Sequence, residues 1–362
     1  MSRGATTDRE PAIYGLKFQA RCITAVAAER ERSRFLAGTT SLKDENELHL
    51  MEYDAGSNEL NCERIFTHAH EVWGVETCPG DAALVSTVYN TGAEFRASVW
   101  RMAGEEDADA SALDRQFDLD GVAGVRRVIW DPSEELGADA ARLLSLDEAA
   151  VRVWDVASQK STVAMESGKL GTAAWSPHNR NQVAVTVEGA IRGVDLRDAK
   201  KTVFAIEHAH AQCVRDLDFN QNRQYFFVSG GDDSNVNFWD LRKCAEPLKT
   251  LNNHQHWVTG VSYNAFHDQL VVSCGTDASV NLFNVTSLSS APLAELDDED
   301  QGAGGSAPAD SLIKTYDEHE DSVYGAVWSC SETDAWLFAT LSYDGRVVIN
   351  HVPASEKYRI LL

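Results

Sequence analysis

The sequence predicts an all-β fold in which seven four-stranded sheets, or blades, form a ring, a β-propeller. Segments ending in an aromatic or apolar residue followed by an acid or amide recur along the chain. Four successive copies lie 40, 45 and 44 residues apart, at Asp155, Asp195, Asp240 and Asn284. Within these segments apolar and polar residues alternate with the period of two that is typical of a strand. A repeat of roughly 40–45 residues is the length of one propeller blade.

The composition is that of a globular protein with a strongly acidic balance. The 362-residue chain has 43% apolar and 24% charged residues, which is ample for a core. Its 32 Lys and Arg residues stand against 56 Asp and Glu residues, giving a net charge of −24. Nucleic acids and anionic membrane surfaces both reward a local excess of basic residues, so we expect neither as a ligand. Basic or neutral protein partners are favoured instead.

The cysteines and the termini predict a reduced, cytoplasmic protein. The seven cysteines are odd in number and scattered, without a C-x-x-C pair, so neither a disulfide framework nor a zinc site is predicted. The polar N-terminus lacks the apolar core of a signal peptide. No run approaches the roughly 18 apolar residues that a membrane span needs.

Each repeat has the same internal order. A His comes first, an apolar residue follows four positions later and an aromatic residue five positions after that, as in His210, Val214 and Phe219. A β-rich run then ends at an acid such as Asp233, six residues before Trp239. Seven units of this kind start near Ala20, Glu71, Gly124, Gly171, Cys213, Trp257 and Ser322.

The two ends of the chain predict how the ring closes. The last unit has three recognisable strands, whereas segment 13–18, before the first unit, looks like a strand without a partner. We expect this N-terminal strand to complete the last blade, because a closed ring leaves no long sheet edge exposed. The predicted organisation is a single propeller over 13–362 after a disordered N-terminus, 1–12. An acidic, Gly-rich disordered insert, 289–310, interrupts the sixth blade, and the acidic stretch 105–109 is a smaller version of it.

Several segments resemble WD-repeat β-propellers, and one subfamily in particular. They are IYGLKFQAR near the start, HAHAQCVRDLDFNQNRQY in the middle, and DEHEDSVYGAVWS, LSYDGRVVIN and KYRILL near the end. Nearly the whole chain is similar to the family of EARP- and GARP-interacting WD-repeat proteins, named after the endosome-associated recycling and Golgi-associated retrograde protein complexes. The departures are the short second and third units, Val194 where a Trp is expected, and the insert after Ser287.

The resemblance implies a scaffold without catalytic activity or cofactor that binds subunits of these two tethering complexes. It further implies roles in endosomal recycling, retrograde endosome-to-Golgi transport and maturation of secretory dense-core granules. The protein would then lie in the cytoplasm and reach the trans-Golgi network and endosomes through its partners, without inserting into the membrane.

The resemblance also implies a structural tetrad within a blade, in which a His, a Ser, an Asp and a Trp are joined by hydrogen bonds. Such a chain satisfies several buried polar groups at once. The best copy is His210, Ser229, Asp233 and Trp239. Partial copies are His254, Ser273 and Asp277 with Phe283, and His319 and Asp344 with Asn350.

The same residue types admit two chemical interpretations that we do not favour. His-x-His pairs at His68/His70, His208/His210 and His254/His256 have a spacing that can chelate a metal. All three fall at the same position of the repeat, so duplication explains them and no metal is expected. His, Asp and Ser also suggest a hydrolase, but the residues are copied from blade to blade and no G-x-S-x-G, P-loop or H-E-x-x-H motif is present. We therefore expect no enzyme.

One set of positions is a candidate partner-binding surface. In WD-repeat proteins, the residue after the first apolar position of each unit and the residue before the turn acid tend to line the top face. Trp, Tyr and Arg are the types enriched at binding hot spots. The alternative is that Trp73 and Tyr324 pack between blades. The candidate residues are Trp73, Arg126, Arg215, Thr259, Tyr324 and Tyr343.

A second pattern supports an alternative function. The sequence Asp-Leu-Arg recurs in two consecutive units and ends at Arg197 and Arg242. Paired motifs of this kind resemble those of substrate receptors that dock on cullin-RING ubiquitin ligase adaptors. The other interpretation is that both arginines pair with local carboxylates. Binding of basic histone tails is a third possibility, but no basic nuclear-targeting run supports it.

Overall fold

The structure is a computed structural model that describes residues 9–42, 45–104, 111–119, 124–133, 141–290 and 310–362. The described residues form seven antiparallel sheets of four strands each. The prediction of an all-β, seven-bladed propeller is therefore confirmed.

The first four blades follow the chain in order. Blade one consists of β2 (Ala20–Ala25), β3 (Ser33–Thr39), β4 (Asn46–Asp54) and β5 (Glu59–His68). Blade two consists of β6 (Glu71–Cys78), β7 (Asp81–Asn90), β8 (Phe95–Met102) and β9 (Leu113–Asp118). Blade three consists of β10 (Arg127–Trp130), β11 (Arg142–Leu146), β12 (Ala150–Asp155) and β13 (Lys160–Glu166). Blade four consists of β14 (Leu170–Trp175), β15 (Gln182–Val187), β16 (Ala190–Asp195) and β17 (Asp198–Ile206).

The last three blades complete the ring. Blade five consists of β18 (Val214–Phe219), β19 (Phe226–Gly231), β20 (Val236–Asp240) and β21 (Lys249–Leu251). Blade six consists of β22 (Val258–Tyr263), β23 (Leu270–Gly275), β24 (Val280–Asn284) and β25 (Ser311–Tyr316). Blade seven consists of β26 (Val323–Trp328), β27 (Leu337–Ser342), β28 (Arg346–His351) and the N-terminal β1 (Ala12–Gly15).

The ring closes where the sequence predicts. β1 pairs antiparallel with β28, with Ala12 opposite Ile349 and Gly15 opposite Arg346. After β1 the chain passes Gly345, which has a φ of +81°. A Cβ on Gly345 would lie only 2.4 Å from the carbonyl oxygen of Phe18. Only a glycine tolerates both that backbone conformation and that approach.

The first strands of the blades surround the central channel. β2, β6, β10, β14, β18, β22 and β26 each contact the first strands of the neighbouring blades, and β26 contacts β2 in turn. The core lies between blades, as where Val228 and Phe238 of blade five pack with Val258 and Val261 of blade six. Fully burying each such side chain contributes roughly 1.5–3 kcal/mol, so contacts between blades hold the ring together.

The antiparallel order of the strands gives the ring two distinct faces. The turn face, as we call it, carries the turns between second and third strands and the connections from one blade to the next. The opposite face carries the other connections, including that between β24 and β25, where Asn284 pairs with Ser311. The predicted inserts 105–109 and 289–310 both leave from this opposite face.

Some predictions fall outside the described residues, and one element was not predicted. Residues 1–8, 105–109 and 291–309 are not described, so disorder there stays a prediction. Arg9 is described, and its guanidinium donates to the hydroxyl of Tyr53 and the carbonyl of Ala55. The C-terminal residues form a short helix, α1 (Ala354–Leu361), which the sequence reasoning did not anticipate. Within the described ranges, no helix has both the length and the apolar character to cross a bilayer.

Candidate functional site

The channel mouth on the turn face brings most of the predicted binding residues together. Every first strand starts at this face, so the leading residues of different blades meet around the channel. A cavity of about 260 Å³ lies there, and its lining includes Arg21, Trp73, Arg126, Thr259 and Tyr324.

An aromatic cluster in this cavity surrounds Arg21. The guanidinium carbon of Arg21 lies 4.5 Å from the ring centroid of Trp73, 4.8 Å from that of Tyr324 and 4.9 Å from that of Tyr343. These distances are within the range of cation–π attraction. Trp73 also packs edge-on against Phe95, with the centroids 5.3 Å apart. The three rings therefore surround the Arg21 guanidinium and hold a cation at the mouth.

Sequence reasoning missed Arg21, although the signal that finds it is present. Arg21 follows Ala20 at the start of β2, just as Trp73 follows Val72 at the start of β6. Because the small Ala20 stands where other units have Val or Leu, the first unit is less easily aligned. Applying the same offset to all seven units would have included Arg21.

The other candidates make contacts of their own. Arg215 forms two hydrogen bonds to the buried carboxylate of Asp232, at 2.6 and 2.7 Å, and lies 5.1 Å from the ring centroid of Trp257. Arg126 pairs with Glu148 at 3.6 Å, and both side chains are more than half exposed. The hydroxyl of Thr259 donates to the carbonyl of Val323 in the next blade.

Charged groups line the channel below the mouth. Arg127 pairs with Asp216 at 3.3 Å, and burial raises the pKa of Asp216 against the opposing effect of this arginine. Burial likewise raises the pKa of Glu76 to about 7, with Arg127 again opposing the shift. A substantial fraction of Glu76 is therefore protonated near neutral pH. Nothing in the repeat spacing marked these acids, because their surroundings come from three different blades.

A further acid ties two blades together. The carboxylate of Asp218 accepts a hydrogen bond of 2.8 Å from the backbone N–H of Tyr263, which lies in the next blade. Burial raises the pKa of Asp218 to about 7, partly offset by this bond. Asp216 accepts a similar bond from the N–H of Val261 at 3.1 Å. Both acids on β18 therefore help to fix blade six against blade five.

The structure brings together all four residues of the tetrad that the resemblance implies. His210 lies with Nδ1 2.8 Å from Asp233 and Nε2 2.8 Å from the hydroxyl of Ser229. The indole N–H of Trp239 donates to the same hydroxyl at 2.9 Å. Burial tends to raise the pKa of Asp233, but hydrogen bonds from His210 and from the backbone N–H of Ala211 hold it at about 2.

The partial copies differ in their details. In blade six, His254 contacts Asp277 at 3.1 Å and Ser273 at 2.7 Å. In blade seven, the ring nitrogens of His319 instead contact Ser342 at 2.8 Å and Thr340 at 2.7 Å. Ser342 bonds in turn to Asp344, so a hydroxyl stands between the His and the acid. The blade-seven chain is therefore longer than the sequence suggested.

Each His-x-His pair has at least one histidine that contacts other groups of the protein. Nδ1 of His68 lies 2.8 Å from the carbonyl oxygen of His70, and the ring of His70 stacks on Tyr89 with the centroids 5.3 Å apart. Within the described part of the chain, no group of three or more His, Cys, Asp or Glu residues is arranged to hold a metal ion.

The two Asp-Leu-Arg motifs have the same geometry on the opposite face. Nε and Nη2 of Arg197 lie 2.9 and 2.7 Å from the carboxylate of Asp195. Arg242 contacts Asp240 at the same two distances and also lies over the ring of Tyr225. The bonds from Arg197 lower the pKa of Asp195 to about 2. Each arginine thus pairs with its local acid while its side chain stays more than half exposed.

Comparison with models of protein families gives a match over residues 9–283 to the one described as EIPR1 beta-propeller. The chain belongs to the EIPR1 β-propeller family. The family resemblance read from the sequence is therefore confirmed.

Several relatives of this chain align with it along almost their whole length. EARP and GARP complex-interacting protein 1 of Rattus norvegicus is 40% identical over 391 residues, which cover 98% of this chain and 100% of the relative. WD repeat-containing protein DWA2 of Arabidopsis thaliana is 39% identical over 348 residues, with 94% and 95% covered. The EARP-interacting protein homolog of Dictyostelium discoideum is 34% identical over 391 residues, with 94% of each chain covered.

Proposed function

We propose that this protein is a non-enzymatic scaffold that binds subunits of the EARP and GARP tethering complexes. The observation that carries the proposal is the end-to-end similarity to relatives that are named for interacting with these complexes. The channel mouth supports it, because it concentrates Trp, Tyr and Arg side chains, the types enriched at binding hot spots, on one face of the ring.

The propeller suits this role mechanically. Its seven sheets are fixed against one another by buried contacts between blades, so the face is formed before a partner arrives. A preformed face loses little conformational entropy on binding. A segment of a tether subunit would lie across the turn face, with the predicted residues Trp73, Arg126, Tyr324 and Tyr343 as contacts.

The proposed cellular role follows from these partners. The protein would act in endosomal recycling, in retrograde transport to the Golgi and in maturation of dense-core granules. It would stay in the cytoplasm and reach the trans-Golgi network and endosomes through the tethers. A net charge of −24 favours such indirect recruitment, because anionic membrane surfaces repel an acidic protein.

Affinity purification from the native cell, followed by mass spectrometry, tests the proposal. We expect subunits of EARP and GARP to co-purify with the intact protein above the level of an unrelated propeller. Reciprocal purification through a tether subunit should recover this protein. If neither direction yields the other component, the proposal is wrong.

The alternative is a substrate receptor for a cullin-RING ubiquitin ligase. What favours it is that the exposed arginines of the Asp-Leu-Arg motifs stand at equivalent places in two adjacent blades. The double variant Arg197→Ala, Arg242→Ala tests it, with Arg96→Ala, Arg115→Ala as the matched control on other exposed ion pairs. A ligase adaptor that docks on the motifs should be lost from the first variant and kept by the second. Equal recovery from both would end this alternative.

A further inference from the structure

The guanidinium of Arg21 is held by three aromatic rings, and no acid among the described residues pairs with it. Within the ranges that the structure describes, no carboxylate, carbonyl or hydroxyl accepts a hydrogen bond from it. A guanidinium has five N–H donors that lie in its plane. Stacking on aromatic faces leaves those donors directed outward, and a carboxylate can accept two of them side by side.

A second donor in the cluster also lacks an acceptor. The indole N–H of Trp73 is buried without a hydrogen-bond partner among the described residues. Unpaired buried donors are rare in folded proteins and point to a missing partner. Both unpaired donors belong to the same aromatic cluster at the channel mouth, so this cluster has an excess of donors over acceptors.

The aromatic cluster cannot accept a partner's Lys or Arg as it stands. Its three rings are the kind of cage that binds a cation, but Arg21 of the chain itself already occupies it. A basic side chain would have to displace Arg21 and would meet Arg126 and Arg127 on the same cavity wall. At this place the chain disfavours the basic partners that its net charge suggests.

The lining of the cavity is positive overall and suits an anion. It contains the three arginines Arg21, Arg126 and Arg127 and the two acids Glu76 and Asp216. With every group ionised the balance is a single positive charge, and the partial protonation of Glu76 makes the lining more positive. A carboxylate brings one negative charge, whereas a phosphate dianion would bring a second one close to Asp216, and like charges in a confined space repel strongly.

The size of the cavity indicates a side chain of a peptide. Its volume of about 260 Å³ is below the roughly 300–1,000 Å³ of ordinary small-molecule pockets. The cavity opens on the turn face, where the rest of a bound segment can lie across the turns.

We propose that the channel mouth binds the carboxylate of an acidic segment in the partner protein, with Arg21 as its anchor. The inference rests on the proposed function, since it gives the chemistry by which the turn face recognises a tether subunit. Trp73, Tyr324 and Tyr343 position Arg21, and Arg126 adds attraction at the rim.

A peptide array tests the inference. Short peptides tiled over the EARP and GARP subunits are synthesised in two forms, with their native acids and with every Asp and Glu changed to the amide. A third set carries phosphoserine at native serines. Binding is measured for the intact protein, for Arg21→Gln, for Arg21→Lys and for Arg32→Gln. Arg32 is a matched control, because it lies in the same blade on the opposite face and is half exposed.

We expect at least one native acidic peptide to bind the intact protein and its amide form to bind roughly 10- to 100-fold more weakly, as for a charge-assisted hydrogen bond. Arg21→Gln should lose the same factor, whereas Arg32→Gln should bind within about twofold of the intact protein. Arg21→Lys, which keeps the charge but not the planar fork, should fall in between and serves if Arg21→Gln fails to fold.

Three results would overturn the inference. They are equal binding of the acidic peptides by the intact protein and Arg21→Gln, tighter binding of the phosphoserine set, and failure of every acidic peptide to bind.

Capture of the purified EARP and GARP complexes is measured in parallel. Complexes captured equally by the intact protein and Arg21→Gln overturn the inference and leave the proposed function standing. Acidic peptides bound through Arg21 without capture of either complex overturn the proposed function alone.

Discussion

Arg21 and Arg215 occupy equivalent positions at the starts of their blades, yet their surroundings are opposite. Arg215 makes two hydrogen bonds to the buried Asp232, so its charge is neutralised within the protein. Arg21 lies among three rings and keeps its donors for a ligand. A shared offset in the repeat therefore predicts the place of a side chain but not its role.

We expect Arg215→Ala to lower the free energy of unfolding by about 1–3 kcal/mol, because the buried carboxylate of Asp232 loses its charged partner and both hydrogen bonds from it. Urea unfolding at neutral pH measures the change. The matched control is Arg126→Ala, whose ion pair with Glu148 is exposed and should contribute less than about 1 kcal/mol. Equal losses in the two variants would contradict the assignment of Arg215 to a structural pair.

His319 predicts a dependence of stability on pH. Burial lowers the pKa of His319 to about 4, with Arg346 adding to the shift and Asp344 opposing it, whereas the unfolded chain titrates near 6.5. Between these values the unfolded state binds the proton and the folded state does not. Stability is therefore lost as pH falls from about 6.5 towards 4.

The variant His319→Gln should lose less stability than the intact protein between pH 7 and pH 5. Its amide can replace the contacts to Ser342 and Thr340 without titrating. Urea midpoints at pH 7, 6 and 5 give the comparison, with the exposed His256→Gln as control. Parallel curves for the intact protein and His319→Gln would show that this ring does not contribute to the pH dependence.

The residues that the sequence predicted have signals that lie within one repeat, whereas those it missed depend on contacts between blades. His210, Ser229, Asp233 and Trp239 belong to one blade, so their spacing repeats along the chain. Burial raises the pKa of Glu76, Arg127 opposes the shift and Asp216 adds to it; both of these residues lie in other blades. No periodicity within a unit encodes an environment that three blades build together.

At the scale of strands, blade four has Val194 where blades two, three and five carry Trp. Val194 packs in the core between blades three and four, with Leu144 and Trp175. The preceding Gly193 faces Phe204 on the neighbouring strand β17, and a Cβ on Gly193 would lie 2.2 Å from the Phe204 ring. Phe204 belongs to the core on the other side of the sheet, so its ring occupies the space that the glycine leaves open and does not take the place of the Trp.

The N-terminal strand yields a prediction at the same scale. Deleting residues 1–18 removes β1 and leaves the edge of β28 unpaired. It also removes the strand that covers Val347 and Ile349 of β28, which are fully buried in the intact protein. We expect the thermal midpoint to fall by on the order of 5–10 °C and the variant to aggregate through the open edge. Deleting residues 1–8 keeps β1 and serves as control. An unchanged midpoint after the longer deletion would contradict closure of the ring by β1.

The strands and their order could be predicted almost completely, whereas the C-terminal helix could not. Strands recur seven times, so a weak signal in one blade is reinforced by the others. The helix α1 spans eight residues and occurs once, too short for a helical period to stand out. The cavity beside it is lined in part by Arg9, from the opposite end of the chain.

For the whole molecule, the acidic insert is expected to be dispensable for folding. The strands on either side remain paired at Asn284 and Ser311, and Asp310 anchors the return by bonding to Lys249 and Ser287. Replacing 291–309 by a short Gly-Ser linker should leave the thermal midpoint unchanged or slightly raised, since a shorter loop costs less entropy to close.

Differential scanning calorimetry measures this midpoint, and Asp310→Ala is the contrasting variant, which should lower it. Because the insert leaves from the opposite face, the linker variant should also capture the tether complexes as the intact protein does. If the thermal midpoint of the linker variant is lower than that of Asp310→Ala, the insert has a structural role. Loss of capture alone would place the partner on the opposite face.

For the whole molecule, the net charge does not describe how charged residues are distributed over the surface. A net −24 coexists with arginines gathered around the channel mouth. A large net charge favours solubility through its long-range field, while short-range contacts at the mouth select the ligand.

Pairing of β1 with β28 also sets the order of events during biosynthesis. Ala12 leaves the ribosome early, but its partner Ile349 is made on the order of tens of seconds later at ordinary rates of translation. Throughout that interval the nascent chain carries an unmatched strand at its leading end. Chaperones that shield such strands should therefore associate with polysomes carrying this message until the final codons are read.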